Sequence, residues 1–98
     1  MSDGWVSCPA VDIRVNNPTV VLERISAVTR MICSTELHEW RTSHSLTMTC
    51  QHWSFTLKII PHGVRLVVHA VNPAQMHVIM EQVKTLVFHP SGHNIVQE

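Results

Sequence analysis

Histidine is the first residue type that suggests chemistry, since eight of the 98 residues are histidines. A zinc site needs several ligands in a tetrahedral arrangement, and closely spaced ligand pairs are its usual sequence signature. His38 would open the pattern of a zincin helix, but Thr42 stands where the second histidine belongs. His52, His62 and His69 lie near neighbouring strand ends without any ligand spacing. We therefore predict surface histidines and no metal site, on a protein that becomes basic as they protonate between roughly pH 5 and 7.

A thiol nucleophile is the second chemistry that the residue types allow, because Cys50 lies two residues before His52. Cys50 continues the apolar register of Leu46 and Met48, where a thiol packs as a small hydrophobe. The three glycines are far apart and form no phosphate-binding loop, and the acidic residues suggest no catalytic pair. We predict that the protein is not an enzyme and has no cofactor, with a small metal- or thiol-dependent enzyme as the further alternative.

Charge and cysteine content limit the partners and the compartment. Seven basic residues balance seven acidic ones, so the surplus of Lys and Arg that neutralises nucleic-acid phosphates is missing. Neither a signal peptide nor an apolar run long enough for a membrane span is visible. The odd cysteine count favours reduced thiols at Cys8, Cys33 and Cys50, and one disulfide plus one thiol is the alternative. We expect a cytoplasmic protein without a nucleic-acid partner.

Alternation of apolar and polar residues predicts the strands that position these side chains. The predicted strands are 11–15, 46–50, 53–60 and 64–70. The last three form an antiparallel meander, whose second turn contains Gly63 at a positive φ. The polar segment 34–45 is predicted to be a helix end and a loop.

Apolar residues spaced three and four apart predict two amphipathic helices. The first begins at Pro18, and the side chain of Asn17 caps it. Its apolar stripe comprises Val21, Leu22, Ile25, Val28, Met31 and Ile32, and its outer face comprises Glu23, Arg24, Ser26 and Arg30. The second helix follows Asn72-Pro73 and carries apolar residues from Met76 to Val87.

This order of elements predicts an α+β fold with two layers. The arrangement is strand, helix, three-stranded antiparallel meander and helix, with both helices on one face of a four-stranded sheet, because that packing buries every apolar stripe. Residues 1–9 would be an N-terminal arm, 10–90 a single α+β domain and 91–98 a C-terminal tail.

The opposite sheet face and the tryptophans outside the strands are the candidate binding surface. Tryptophan is favoured at binding hot spots, and the basic side chains of the polar face would serve peripheral binding to an anionic membrane. The candidate partner-binding residues are Trp5, Trp40, Arg14, Lys58, Arg65 and His69.

Several segments of the chain resemble a known family. They are Val11-Asp12-Ile13-Arg14-Val15, the 18–32 helix, 46–50, 53–60 and Gly63-Val64-Arg65-Leu66. They are similar to the C-terminal kinase-associated domain of microtubule-affinity-regulating and related AMP-activated-type kinases. That resemblance implies both helices on one sheet face, and binding to anionic phospholipids or to a kinase domain. Residues 53–86 also resemble the C-terminal domain of flagellar hook-length and type III secretion needle-length regulators, in their strand, turn, strand and closing helix.

The function that we expect is a non-enzymatic protein–protein interaction module with a regulatory or assembly role. It would bind another protein, or a second copy as a homodimer, through a sheet edge or the polar sheet face. The alternative is peripheral binding to anionic membrane lipids, which the neutral charge balance does not favour. No small-molecule substrate is indicated.

Overall fold

A computed structural model describes residues 4–33 and 36–88 of the chain. Its elements are β1 (Val6–Ser7), β2 (Val11–Arg14), α1 (Pro18–Ile32), β3 (His38–Arg41), β4 (Ser45–Thr49), β5 (Trp53–Ile60), β6 (Gly63–Ala70) and α2 (Pro73–Phe88). The α+β class predicted from the sequence is confirmed. The predicted tail, 91–98, lies outside the described residues.

The strands form one antiparallel sheet in the order β1-β6-β5-β4-β3, and β2 also pairs with β6. β1 and β2 therefore share one edge of the sheet, and β3 forms the other edge. The predicted meander is confirmed, with Leu57 of β5 opposite Leu46 of β4 and Leu66 of β6.

The prediction of four strands is wrong, because the described residues form six. β1 lies in the predicted N-terminal arm, where it pairs with the end of β6. β3 lies in the segment predicted to be a loop. There the Thr42 N–H donates to the Ser45 carbonyl at 2.9 Å and closes a hairpin with only two residues in its turn. Alternation did not reveal β3 because its two inward residues, Glu39 and Arg41, are both charged.

The core joins the inward side chains of the sheet to both helices in one cluster. From the sheet it contains Ile13, Leu46, Met48, Phe55, Leu57, Val64, Leu66 and Val68, and from the helices Val21, Leu22, Ile25, Ile79, Met80, Val83 and Val87. Two predictions for α1 are wrong: Met31 is 82% exposed, and Ser26 is buried. Of the helices in the described residues, neither is long and apolar enough to cross a membrane.

The two helix starts and the turn between β5 and β6 do not all have the local structure that the sequence suggests. Asn72 caps α2, since its Oδ1 accepts from the Gln75 N–H at 2.8 Å. Asn17 makes no side-chain cap hydrogen bond, so that prediction is wrong. The positive φ predicted for Gly63 is also wrong. Gly63 is needed for another reason: a Cβ there would overlap the backbone of β2, at the Ile13 carbonyl and 2.8 Å from the Cα of Arg14.

Candidate functional site

The edge strand β3 is fixed to α1 by a hydrogen-bonded carboxylate. Glu39 Oε1 accepts from Arg30 Nη2 at 2.6 Å and from Arg30 Nε at 3.0 Å. Its Oε2 accepts from the Ser26 hydroxyl at 2.9 Å, and Arg30 Nη2 also donates to that hydroxyl at 3.1 Å. Ser26 and Arg30 lie one helical turn apart, so both side chains reach the same strand. This network explains why Ser26 is buried despite its polarity.

The electrostatics of Glu39 favour its charged form. Burial raises the pKa of this carboxyl, whose side chain is only 19% exposed. The hydrogen bonds from Arg30 and Ser26 and the charges of Arg30 and Arg41 outweigh that effect, so the pKa of Glu39 is lowered overall. Glu39 therefore stays ionised at neutral pH and holds β3 in place.

The opposite side of β3 carries an exposed aromatic residue. Neighbouring strand residues point to opposite sheet faces, so Trp40 faces away from α1 when Glu39 faces toward it. Trp40 is 59% exposed, and its ring lies against His38 with a centroid separation of 5.9 Å. This side chain is therefore held on an ordered strand while most of it contacts solvent.

Rows of hydroxyl groups extend the surface from Trp40 across the sheet. Trp40 lies opposite Thr47, and Thr47 lies opposite Thr56 with their hydroxyl oxygens 3.0 Å apart. In the next row the hydroxyl oxygens of Thr49 and Ser54 lie 3.1 Å apart. We define the Trp40 surface as His38, Trp40, Thr47, Thr49, Ser54 and Thr56. It contains no permanent charge, and its one large apolar group is Trp40.

The outer edge of β3 adds backbone groups to the Trp40 surface. Within the described residues, β3 pairs only with β4. Hydrogen-bonded pairs alternate along an antiparallel ladder, and the bond from Thr42 to Ser45 sets that alternation. The backbone N–H and C=O groups of Glu39 and Arg41 therefore point away from β4, toward the open edge.

Three of the predicted basic residues lie together at the far side of the same sheet face. Arg65 is opposite Lys58 on β5 and Asp12 on β2, and Arg14 lies opposite Gly63. Arg65 donates to both Asp12 carboxylate oxygens, at 2.7 and 3.1 Å. These hydrogen bonds and the charge of Arg65 lower the pKa of Asp12, against a smaller effect of burial that raises it. The ion pair offsets one of the three positive charges.

The other two predicted site residues belong to the β1 edge. His69 Nδ1 lies 2.6 Å from the Ser7 hydroxyl oxygen, so this ring takes part in holding β1 on β6. Trp5 directly precedes β1 and is half-buried. Three strand spacings, roughly 14 Å, separate β6 from Trp40 on β3. The structure therefore separates Trp40 from the other five predicted residues, which are Trp5, Arg14, Lys58, Arg65 and His69.

The histidines do not converge in the described part of the chain. His38 begins β3, although the sequence suggested a loop there, while His44, His52 and His62 lie in turns. No three His, Cys, Asp or Glu side chains within 4–33 and 36–88 are placed to hold a metal ion. His89 and His93 lie outside these residues.

Two features of this region were missed at the sequence level. One is the Glu39 network, and the other is the contact between Cys33 Sγ and Cys50 Sγ, which lie 3.8 Å apart. The polar turn Ser43-His44 between two short β-compatible segments was the available signal for β3, and so for the network. Nothing in the spacing of the two cysteines indicated their contact.

Comparison with known proteins adds no relative to this description. No protein-family model and no curated protein matches the chain. The functional conclusion therefore depends on the surfaces that the structure places together.

Proposed function

We propose that the chain is a non-enzymatic protein-interaction module that binds its partner at the Trp40 surface and the adjoining edge of β3. In this proposal both helices cover one face of the sheet, and the opposite face remains open to the partner. The observation that carries it is Trp40, exposed on a strand whose other side is fixed to α1 by Glu39.

Exposure of the apolar Trp40 side chain to water is unfavourable in free energy, and binding of a partner would remove that exposure. A tryptophan side chain offers on the order of 200 Å² of mostly apolar surface, and large aromatic residues are usually covered. Trp40 is 59% exposed, and a tryptophan side chain has only two rotatable χ angles, so a partner loses little entropy in ordering it. The neighbouring hydroxyl rows of the Trp40 surface are uncharged, and burying them requires hydrogen bonds but no paired charge.

The open edge of β3 favours a protein as the partner. The outward backbone groups of Glu39 and Arg41 are spaced to pair with an extended peptide, which would add a strand to the sheet. The same peptide would pass beside Trp40, so backbone pairing and an aromatic anchor would act together. A second copy of the chain could supply that strand, since β3 itself is an edge.

Lipid binding, which the resemblance to kinase-associated domains implies, receives less support from this geometry. An anionic membrane surface attracts clusters of several basic side chains. Asp12 neutralises the charge of Arg65, so the cluster of Arg14, Lys58 and Arg65 keeps a net surplus of only two positive charges. We therefore favour the protein partner and make membrane binding an outcome of the test.

The test compares purified variants as baits in quantitative affinity purification from cells of the native source. Trp40→Ala removes the anchor, and Arg41→Pro removes one outward N–H at a strand edge, where proline is tolerated. Arg41→Ala controls for loss of the side chain and its ion pair with Glu23. Met31→Ala controls for loss of an exposed apolar side chain elsewhere.

The expected result is a protein retained by the wild type, Arg41→Ala and Met31→Ala, and reduced at least about tenfold by Trp40→Ala and Arg41→Pro, in line with a hot-spot loss. The purified candidate should reproduce this order in a direct titration. The proposal is wrong if no retained protein distinguishes these variants, or if the chain instead binds phosphatidylserine vesicles and Arg14→Gln with Lys58→Gln abolishes that binding.

A further inference from the structure

Two cysteines that are 17 residues apart in the sequence meet between the end of α1 and the end of β4. Cys33 directly follows α1, and its N–H donates to the Thr29 carbonyl at 3.0 Å. Cys50 directly follows β4, and its N–H donates to the Trp53 carbonyl at 2.8 Å. Their sulfur atoms are 3.8 Å apart, and both residues are half-buried.

We propose that Cys33 and Cys50 are a redox pair, and that a peroxide converts them to a disulfide that ties the end of α1 to the end of β4. The bond length of a disulfide is about 2.05 Å, so the sulfur atoms must approach by roughly 1.8 Å. Since the backbone of each residue is held by a hydrogen bond, rotation of the two side chains supplies most of that approach.

The pair is accessible to a small oxidant. A groove of about 410 Å³ between the helices and β5 is lined by Thr29, Cys33, Trp53, Phe55 and other residues. Because Cys33 lines this groove, a peroxide molecule that enters the groove meets that residue. Cys50 is then the nearest described thiol, because the third cysteine, Cys8, lies beside β6, where its sulfur accepts from the Val68 N–H at 3.4 Å.

The chemistry balances with hydrogen peroxide as the only co-reactant. The thiolate of Cys33 attacks one peroxide oxygen, the O–O bond breaks, and the leaving hydroxide takes a proton to become water. The resulting sulfenic acid is attacked by the thiolate of Cys50, and the S–O bond breaks as the S–S bond forms. The second hydroxide takes the other thiol proton, so two thiols and one peroxide give one disulfide and two waters.

The disulfide would restrict the segment that carries the proposed binding surface. Residues 33–50 would become a ring that contains both β3 and β4. A ring of this size removes unfolded-state entropy and limits the separation of β3 from α1. The formation of the bond is independent of the proposed function, but any effect on partner binding rests on that function.

The experiment treats the purified full chain with equimolar hydrogen peroxide, then alkylates the remaining thiols and maps the peptides by mass spectrometry without reduction. The expected product is a peptide pair linked through Cys33 and Cys50 within one chain. Cys8→Ser should form the same link, whereas Cys33→Ser and Cys50→Ser should not. The oxidised wild type should unfold about 10 °C higher than the reduced protein, and dithiothreitol should reverse the shift.

Three outcomes would overturn the redox pair. They are a folded protein in which both thiols are still alkylated after peroxide, a link that includes Cys8, and links only between chains. Because the wild type alone gives this readout, a variant that fails to fold does not decide the question. Binding of the candidate partner to reduced and oxidised wild type is measured separately, so the redox pair and the proposed function can fail independently.

Discussion

The two edges of the sheet are held in opposite ways. At the first edge, Ile13 of β2 is buried in the core, and Gly63 lets the β2 backbone approach β6 closely. At the second edge, no residue of β3 is buried, and Glu39 fixes the strand to α1 through hydrogen-bonded charges. The first edge depends on apolar packing, and the second depends on a polar network.

The edges also differ in what they offer to another strand. The first edge is interrupted at 8–10, where Pro9 has no N–H and the Cys8 N–H is already bonded to the Val68 carbonyl at 3.1 Å. Such interruptions protect an edge from pairing. The second edge is uninterrupted over β3 and carries the exposed Trp40. The contrast indicates that stability is concentrated at the first edge and recognition at the second.

Gly63→Ala should cause the largest loss of stability. Its Cβ would overlap the Ile13 carbonyl, so β2 must move away from β6 and expose part of the core. We expect the free energy of unfolding to fall by about 3 kcal/mol or more, measured by urea denaturation. Gly4→Ala is the control, since a Cβ at Gly4 meets nothing within 4 Å and only its φ of 85° is unfavourable. A loss no greater than that of Gly4→Ala would mean that the close approach is unimportant.

Ile13→Ala and Trp40→Ala test the two edges with side-chain truncation. Ile13 is 4% exposed, so its truncation should leave a cavity and cost about 2–4 kcal/mol in urea denaturation. Trp40 contacts solvent over most of its surface, so its truncation should cost under about 1 kcal/mol. Equal losses would show that Trp40 is a structural residue and would remove the contrast between the edges.

The sequence was sufficient for β2, which apolar packing holds at the first edge, and insufficient for β1 beside it and for β3 at the second edge. Alternation in 11–15 and in the meander predicted β2, β4, β5 and β6 because each alternates buried side chains with more exposed ones. β3 has the same geometry, but its inward positions are Glu39 and Arg41, and pattern reasoning assigns such charged residues to solvent. Only the placement of Ser26 and Arg30 on the facing helix makes the charge of Glu39 stable there. For the same reason, the predicted site residue Trp40 could be named but not placed on a strand.

Glu39→Gln should destabilise the second edge by a smaller amount that depends on pH. The substitution keeps the shape and removes the charge that Arg30 binds, so we expect a loss of about 1 kcal/mol at pH 7. The pKa of Glu39 is lower in the folded protein, so the unfolded chain takes up the proton first as the pH falls. The stabilising contribution is therefore complete above the ordinary glutamate pKa of about 4.3 and is lost as the pH falls through the folded value.

Urea denaturation of wild type and Glu39→Gln between pH 3 and pH 8 measures that dependence. The difference between the two proteins should be constant near neutrality and should shrink below roughly pH 4.3. Glu36→Gln is the matched control, because Glu36 lies close in sequence and is mostly exposed. If the two variants lose the same stability at every pH, the Glu39 network does not hold β3.

Arg65→Gln should give the smallest effect, at the exposed ion pair of the first edge. Removing the Arg65 hydrogen bonds should raise the pKa of Asp12 toward its usual value, which carboxyl NMR titration measures directly. The stabilisation by this pair depends on pH in the same direction as that by Glu39. The pair stabilises the fold above the ordinary aspartate pKa, and the stabilisation is lost as the pH falls through the pKa of Asp12 in the folded protein. Asp12 is 52% exposed, so added salt should weaken this pair more than the network around Glu39. If added salt changes the pKa of Glu39 as much as the pKa of Asp12, both edges depend on exposed charges. The distinction between the two edges would then be wrong.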